Sequence, residues 1–284
     1  MKIYIFLPVH NRIEKTRLFI DSLLSQSYGN YHLILVDDGS TDGTQDYVRS
    51  KVEGLTVITG SGNWWWAGGL HQGYLWIKKH GVDPQDVVLL INNDTEFAPD
   101  FFQTAAELLA KEPKTLLLAR VFRKQSGELG EAGVHADWRR LTFDHTEIPE
   151  EVNCLSTRGL FLRAGDFLDI GGFYPAVLPH YLSDYEFTIR AHHKGYRLMT
   201  DPALTLKVDE LTTGFHAWHR AASRGEFFRD YFSRRSSSNP FSWFVFVALA
   251  CPWPWKPLNL LKVIYGGLAT VFRKTFGIYN HKWQ

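Results

Sequence analysis

Four short polar stretches each follow an aliphatic run: Pro8-Val9-His10-Asn11-Arg12, Asp37-Asp38-Gly39-Ser40, Gly60-Ser61-Gly62-Asn63 and Asn92-Asn93-Asp94-Thr95. Any one alone is ordinary turn composition, because Asp, Asn, Gly and Ser satisfy nearby backbone groups. Asp94 stands out, since the run before it, "VVLLIN", is so apolar that its end must emerge from a sheet core into a crevice. A carboxylate there suits a divalent cation, Mn2+ or Mg2+, which takes one or two protein carboxylates and leaves its other positions to substrate phosphates. With neutral Asn92 and Asn93 beside it, such a cation would bind weakly until a diphosphate arrives. A second carboxylate lies in "HYLSDYEFTIRAHHKGY", residues 180–196. Ser183 and Glu186 are spaced as a capping box, which predicts a helix with Asp184 in its first turn and Gly195 at its end. The helix dipole favours an ionised acid there, so Asp184 reads either as a cap or as a general base able to take a proton from a hydroxyl. His216 and His219 are three apart, and His216 is the candidate for a further metal ligand.

The elements that must hold these residues are legible from periodicity. "IYIFLPV" (3–9), "HLILVDD" (32–38), "LTVIT" (55–59) and "VVLLIN" (87–92) are strand-length runs. Between the first two, Ile13, Ile20, Leu23 and Leu24 recur at helical spacing; between the last two, Trp66, Leu70, Tyr74 and Ile77 do so. Strand and helix alternating predict an α/β fold with a mostly parallel central sheet, whose ligands bind beyond the carboxyl ends of the strands. The four polar stretches then converge on one edge. Residues 99–111 predict a packing helix, and 123–152, polar and irregular, read as a flexible or lid-like insertion.

"GSGNWWWAGGLHQGY" (60–74) puts three indoles beside two glycines. Gly68 and Gly69, at the start of a helix, would let the backbone and its N-terminal amides approach a diphosphate. One of Trp64, Trp65 and Trp66 is expected on the sheet, and another, with Trp65 favoured, offers its face to a base or sugar. The stretch is no dinucleotide fingerprint, because Trp65 stands at the third glycine position.

Two distant cysteines, Cys154 and Cys251, match no metal or redox spacing, and the start of the chain has no secretory pattern, so a cytoplasmic protein is expected. The formal net charge of +1 conceals an asymmetry: seven basic residues and no acidic one follow Asp230, leaving the rest of the chain at −6. The same tail holds two apolar segments, 241–251 and 258–272, the first too short to span a bilayer. Basic flanks and Trp243, Trp253 and Trp255 predict a peripheral attachment to the anionic inner face of the cell membrane, with an oligomer interface or a packed helical pair as the competing reading. No nucleic-acid partner is expected.

Taken together, "LPVHNR", "VDDGSTDGT", "LLINNDTEFAPD", "DIGGF" and "PHYLSDYEFTIRAHHKGY", in this order and spacing, resemble the family 2 glycosyltransferases of GT-A fold over residues 1 to about 200. The resemblance implies transfer of a sugar from a nucleoside-diphosphate donor to an acceptor hydroxyl with inversion, in bacterial surface polysaccharide assembly. It implies a donor site built from Pro8, His10, Asn11, Arg12, Asp37, Asp38, Asn63, Trp65, Gly68, Gly69 and Asn93. Asp94 would be the metal carboxylate and Asp184 the base. Arg158, Gly159, His180 and Tyr181 would face a saccharide or lipid-linked saccharide acceptor. The chain departs from the pattern at Asn92, where the family's first metal-motif carboxylate stands, and at Ser183, where a Glu often precedes the base. The implied division is a catalytic domain at 1–225, with donor and acceptor halves meeting near residue 98, and a helical extension at 226–284. Two other readings stay open. A sugar-phosphate nucleotidylyltransferase would want a glycine-rich basic loop, which "LPVHNRIEKTR" lacks; a non-catalytic carbohydrate-binding protein would explain the aromatics without Asp94 and Asp184.

Overall fold

The structure is a computed structural model and describes residues 1–209, 223–234 and 236–276. Its first half follows the alternation in the sequence: β1 (Ile3–Val9), α1 (Ile13–Leu24), β2 (Tyr31–Asp37), α2 (Thr44–Lys51), β3 (Thr56–Thr59), α3 (Trp65–His80) and β4 (Val87–Leu90). These four strands are parallel, in the order β3-β2-β1-β4. β1 shows why this half is layered. Ile3, Ile5, Leu7 and Val9 face one core with Phe19, Ile20 and Leu23 of α1, while Phe6 faces a second core with Ala67, Leu70 and Ile77 of α3. Burial on both faces explains the continuous aliphatic runs.

Beyond β4 the sheet becomes mixed. Here β5 (Thr95–Phe97), α4 (Phe101–Lys111), β6 (Thr115–Arg123), β10 (Leu160–Arg163), α5 (Ala164–Ile170), α6 (Ser183–His193) and β11 (Arg197–Val208) extend it as β4-β10-β6-β11-β5. β10 is antiparallel to both its neighbours, β11 runs parallel to β6, and β5 closes the edge antiparallel to β11. The three-residue β5 follows directly on Asp94, so the end of β4 is held between two paired segments.

The insertion expected to be irregular is ordered. Between β6 and β10 it forms β7 (Leu129–Glu131), paired with β6, then a hairpin of β8 (Gly133–Asp137) and β9 (Thr142–Thr146), and a single 3-10 turn at Pro149–Glu151. Its apolar positions are few but well used. Val134 and Ala136 join Leu182, the N-cap of α6, Ile189 of α6, and Phe246, Val247 and Ala250 of α8 (Pro240–Ala250), in a third core. α7 (Arg224–Tyr231) and α9 (Lys256–Phe276) complete the described C-terminal region. The two cysteines are free, and both are buried in this third core.

Candidate functional site

The loop after β2 organises the sheet edge through three aspartates. Asp38 accepts hydrogen bonds from Gly62 N (2.7 Å), Trp64 N (2.7 Å) and Trp65 N (3.3 Å), so its carboxylate caps α3 from outside. Asp42 accepts from Ile13 N, the first residue of α1, and from Thr44 N, the first of α2. Asp37, buried, accepts from Ser40 N at 2.8 Å. An anionic oxygen at a helix start satisfies amides that lack intrahelical partners, so "VDDGSTDGT" positions three helices at once. Across the loop, Asn11 takes a left-handed φ of 50° and its side chain accepts from Thr41 N. His10 bonds Asp38 O at 2.7 Å.

These loops border a cleft of about 220 Å³ whose walls include Arg12, Trp66, Asn92, Asp94, Glu131, Arg158, His180, Tyr181 and Asp184. It joins the two carboxylates singled out in the sequence. Asn92 and Asp94 line it, whereas Asn93 between them is turned away, buried with its amide donating to Thr16 Oγ1 of α1. Arg12 Nη1 lies 3.4 Å from Asp94 Oδ2. The other oxygen, Asp94 Oδ1, and Asn92 Oδ1 are both buried without a hydrogen-bond partner. Unpaired buried acceptors are costly; two hard oxygens in one cleft fit a Mn2+ or Mg2+ ion. No cluster of three or more His, Cys, Asp or Glu able to hold a metal exists among the described residues, so most of the coordination shell would come from substrate and water. His216 lies outside the described residues.

On the facing wall, Asp184 sits in the first turn of α6 and accepts its neighbour's amide, Tyr185 N, at 3.0 Å. It keeps some contact with solvent, yet protein surrounds it deeply enough that burial pushes its pKa up to about 6; Glu131 adds to the rise, while the backbone hydrogen bonds and Arg158 oppose it. Arg158 Nη1 pairs with Glu131 Oε1 at 2.9 Å. Burial disfavours the charge on Arg158, but Glu131, Asp94, Asp184 and Tyr181 outweigh that and raise its pKa. The Arg158 guanidinium thus pairs with Glu131 and feels the charges of Asp94 and Asp184, while Arg12 sits beside Asp94. Burial likewise raises the pKa of Tyr181, whose ring packs edge-on against His180, 4.6 Å between centroids.

Several sequence expectations need correction. The capping box at Ser183 does not form: Leu182, at φ 67°, is the N-cap, Ser183 Oγ donates to His180 O, and Glu186 instead makes a two-pronged pair with Arg190. Arg190 in turn donates to Ile170 O and Gly172 O, tying "DIGGF" to the helix that carries Asp184. Gly68 and Gly69 are buried against the protein's own side chains. A Cβ at Gly68 would lie 3.0 Å from Trp64 Cβ, and one at Gly69 3.0 Å from Pro8 Cβ, so their smallness lets α3 lie against Trp64 and the sheet. The first amides of α3 are also taken, by Asp38 and, at Ala67, by Pro179 O. Gly159 is buried at φ 86°, where a Cβ would meet Leu206 Cδ2 at 2.5 Å.

The three tryptophans divide the work. Trp64 packs on the second core, and Trp65, at φ 59°, brings its ring to 6.2 Å from His180. Trp66, half-buried, lines the cleft and donates to Thr157 Oγ1 at 3.0 Å. Asn63 is exposed on the loop before them. Glu131 was missed in the sequence: it lies in the segment read as irregular, and its only signal was an acidic residue in a short glycine-flanked run.

The chain matches the family model for glycosyl transferase family 2 over residues 4–164, more than half its length, and it belongs to that family. Family membership favours the glycosyltransferase reading among the three left open by the sequence. The chain's fold is shared with S. aureus TarS, at a TM-score of 0.60 and 17% identity, covering 100% of this chain and 56% of TarS. It is shared too with the mannosyltransferase PcManGT of Pyrobaculum calidifontis, solved with GDP-Man and Mn2+, at 0.58 and 17%, covering 97% and 84% of the two chains. A TarS 1–349 structure with UDP-GlcNAc aligns at 0.58 and 16%, covering 99% and 74%. The chain thus spans little more than half the length of the full TarS structure. No curated protein matches.

Proposed function

We propose that this chain is an inverting, nucleotide-sugar-dependent glycosyltransferase that moves a hexosyl or deoxyhexosyl group to a hydroxyl of a saccharide or lipid-linked saccharide. Its setting is polysaccharide assembly at the cytoplasmic face of the cell membrane. The observation that carries the reading is the single cleft lined by both Asp94 and Asp184. Nucleotide sugars in the structures of PcManGT and TarS support the donor class.

Each wall has its own task. Asn92 and Asp94 would hold Mn2+ or Mg2+, which when bound offsets the charge of the departing diphosphate as a Lewis acid. Arg158, with Arg12 one of the cleft's two guanidiniums, orients and neutralises anionic groups beside Asp184. Asp184, unprotonated above about pH 6, takes the acceptor's proton as its oxygen attacks the anomeric carbon. Attack opposite the leaving phosphate inverts that carbon. The nucleotide needs no proton to leave, so a second carboxylic acid is not required.

Release of nucleoside diphosphate from a panel of nucleotide sugars, with Mn2+ and candidate acceptors, tests this reading. Acceptor-dependent release by the wild type, lost in Asp184→Asn, is the expected result; full turnover by that variant overturns the assignment of the base.

A further inference from the structure

The helix α9 leaves most of its large apolar side chains exposed. Its one buried side chain is Asn259, whose amide donates to Trp138 O at 2.7 Å, and Lys262 Nζ donates to Arg139 O at 2.8 Å. Asn259 and Lys262 are thus turned inward onto the tip of the β8–β9 hairpin, beside Leu260 and Val263, which pack on the third core. The opposite stripe, Leu258, Leu261, Tyr265, Leu268, Phe272 and Phe276, recurs every three or four residues and is exposed, from 47% at Leu258 to 75% at Tyr265. A surface helix of a soluble protein normally does the reverse, and a continuous apolar patch of this length marks a surface with a partner. Trp253, 78% exposed in the turn before α9, and Phe241 at the start of α8 continue the patch.

We infer that α9 and the exposed side of α8 lie in the plane of an anionic bilayer, with the apolar stripe among the acyl chains. Charge selects this occupant over a second copy of the chain. No acidic residue follows Asp230, so α9, with Lys256, Lys262, Arg273 and Lys274, carries positive charge alone, and exposed Trp and Tyr suit the headgroup zone. No described helix is long and apolar enough to cross a membrane, which leaves the in-plane arrangement for a helix of about 30 Å. The anchor is also part of the catalytic wall. Phe246, Val247 and Ala250 on the inner side of α8 share a core with Ile189 of α6, the helix that carries Asp184. The bilayer-facing pair and the general base thus form one packed body, which fixes the height of the cleft above the leaflet. This deepens the proposed membrane location and rests on that reading only in placing an acceptor in the same leaflet.

The test is sedimentation of the full chain with phosphatidylcholine vesicles and with phosphatidylcholine–phosphatidylglycerol vesicles, without donor or acceptor. Co-sedimentation with the phosphatidylglycerol vesicles is expected, with a blue shift of tryptophan emission. Leu261→Asp/Leu268→Asp should leave the protein in the supernatant with an unchanged thermal melt and unchanged nucleotide-sugar binding. Failure to pellet with the anionic vesicles overturns the inference, and equal pelleting with both vesicle types overturns its electrostatic part. A dimer in light scattering that the double variant dissociates, without vesicle binding, assigns the stripe to a second copy instead. Since no sugar transfer enters this readout, its failure leaves the glycosyltransferase reading standing, and the reverse holds too.

Discussion

Arg158 lies 2.9 Å from Glu131 in the cleft that Asp94 and Asp184 line. The pair couples strand β7 to Asp184, because Glu131 raises the pKa of Asp184 while Arg158 lowers it. In Glu131→Gln the like charge is gone and Arg158 is left to Asp184 and Asp94. The acidic limb of the kcat/KM profile should then move to lower pH, whereas in Arg158→Met it should move to higher pH with a loss of turnover. Opposite displacements are the signature; movement in the same direction would mean that neither residue acts on Asp184 through charge.

Asp184→Asn should lower kcat by about 10²- to 10⁴-fold, the usual worth of a general base, with donor affinity retained. The same variant should change stability with a defined sign. Asp184 in the folded protein titrates near 6, above its ordinary carboxylate value. A raised pKa means the folded state holds its proton more tightly than the unfolded chain does. That contribution is complete below the ordinary carboxylate range and is lost as pH rises through about 6. Relative to wild type, Asp184→Asn should gain stability in urea titrations as pH is raised from 4 to 8, because burial makes ionisation of the native carboxyl costly.

Asp94 has one free buried oxygen and shares the cleft with the free oxygen of Asn92. Mn2+ should tighten nucleotide-sugar binding to the wild type, and EDTA should reverse this. Loss of an outer-shell partner alone weakens metal sites by about 10- to 100-fold, so Asp94→Asn should abolish the Mn2+ effect in calorimetry. Asn92→Asp should strengthen it by adding a second carboxylate. No Mn2+ effect in either protein would remove the metal assignment.

The parallel half of the fold was legible because its strands are buried on both faces and its helices are amphipathic, so "IYIFLPV" and the Leu70 stripe announced themselves. Asp94 and Asp184 were legible for a similar reason, as charges at the ends of apolar or helical patterns. Glu131 and the β8–β9 hairpin were not, because that hairpin packs its apolar residues, Val134, Ala136, Trp138 and Phe143 among them, on helices distant in sequence, α6 and α8. The capping box at Ser183 misled because Glu186 has a stronger partner in Arg190, a contact the local spacing does not contain.

Asp38 is a structural cap, and its removal should show in stability. Asp38→Ala would leave the amides of Gly62 and Trp64 without their 2.7 Å partners in a mostly buried setting. An orphaned buried donor costs about 1–3 kcal/mol, so a loss of roughly 2–4 kcal/mol in urea unfolding is expected. A stable Asp38→Ala protein with greatly weakened donor binding would instead place its carboxylate on the nucleotide.

The glycines of α3 separate packing from ligand contact most directly. A methyl group at Gly73 would sit 2.5 Å from Phe6 Cδ1, and one at Gly69 3.0 Å from Pro8 Cβ. Alanine favours an interior helical position over glycine by about 1 kcal/mol, but overpacking a tight contact typically costs about 1–3 kcal/mol. The second effect should win clearly at Gly73, where the aromatic ring is held in the second core, and narrowly at Gly69, where the contact is longer. Gly73→Ala should therefore be the less stable protein in thermal melts, and Gly69→Ala should keep wild-type donor affinity. Were the backbone of Gly69 in contact with a diphosphate, the pattern would invert, with Gly69→Ala stable and its donor binding lost.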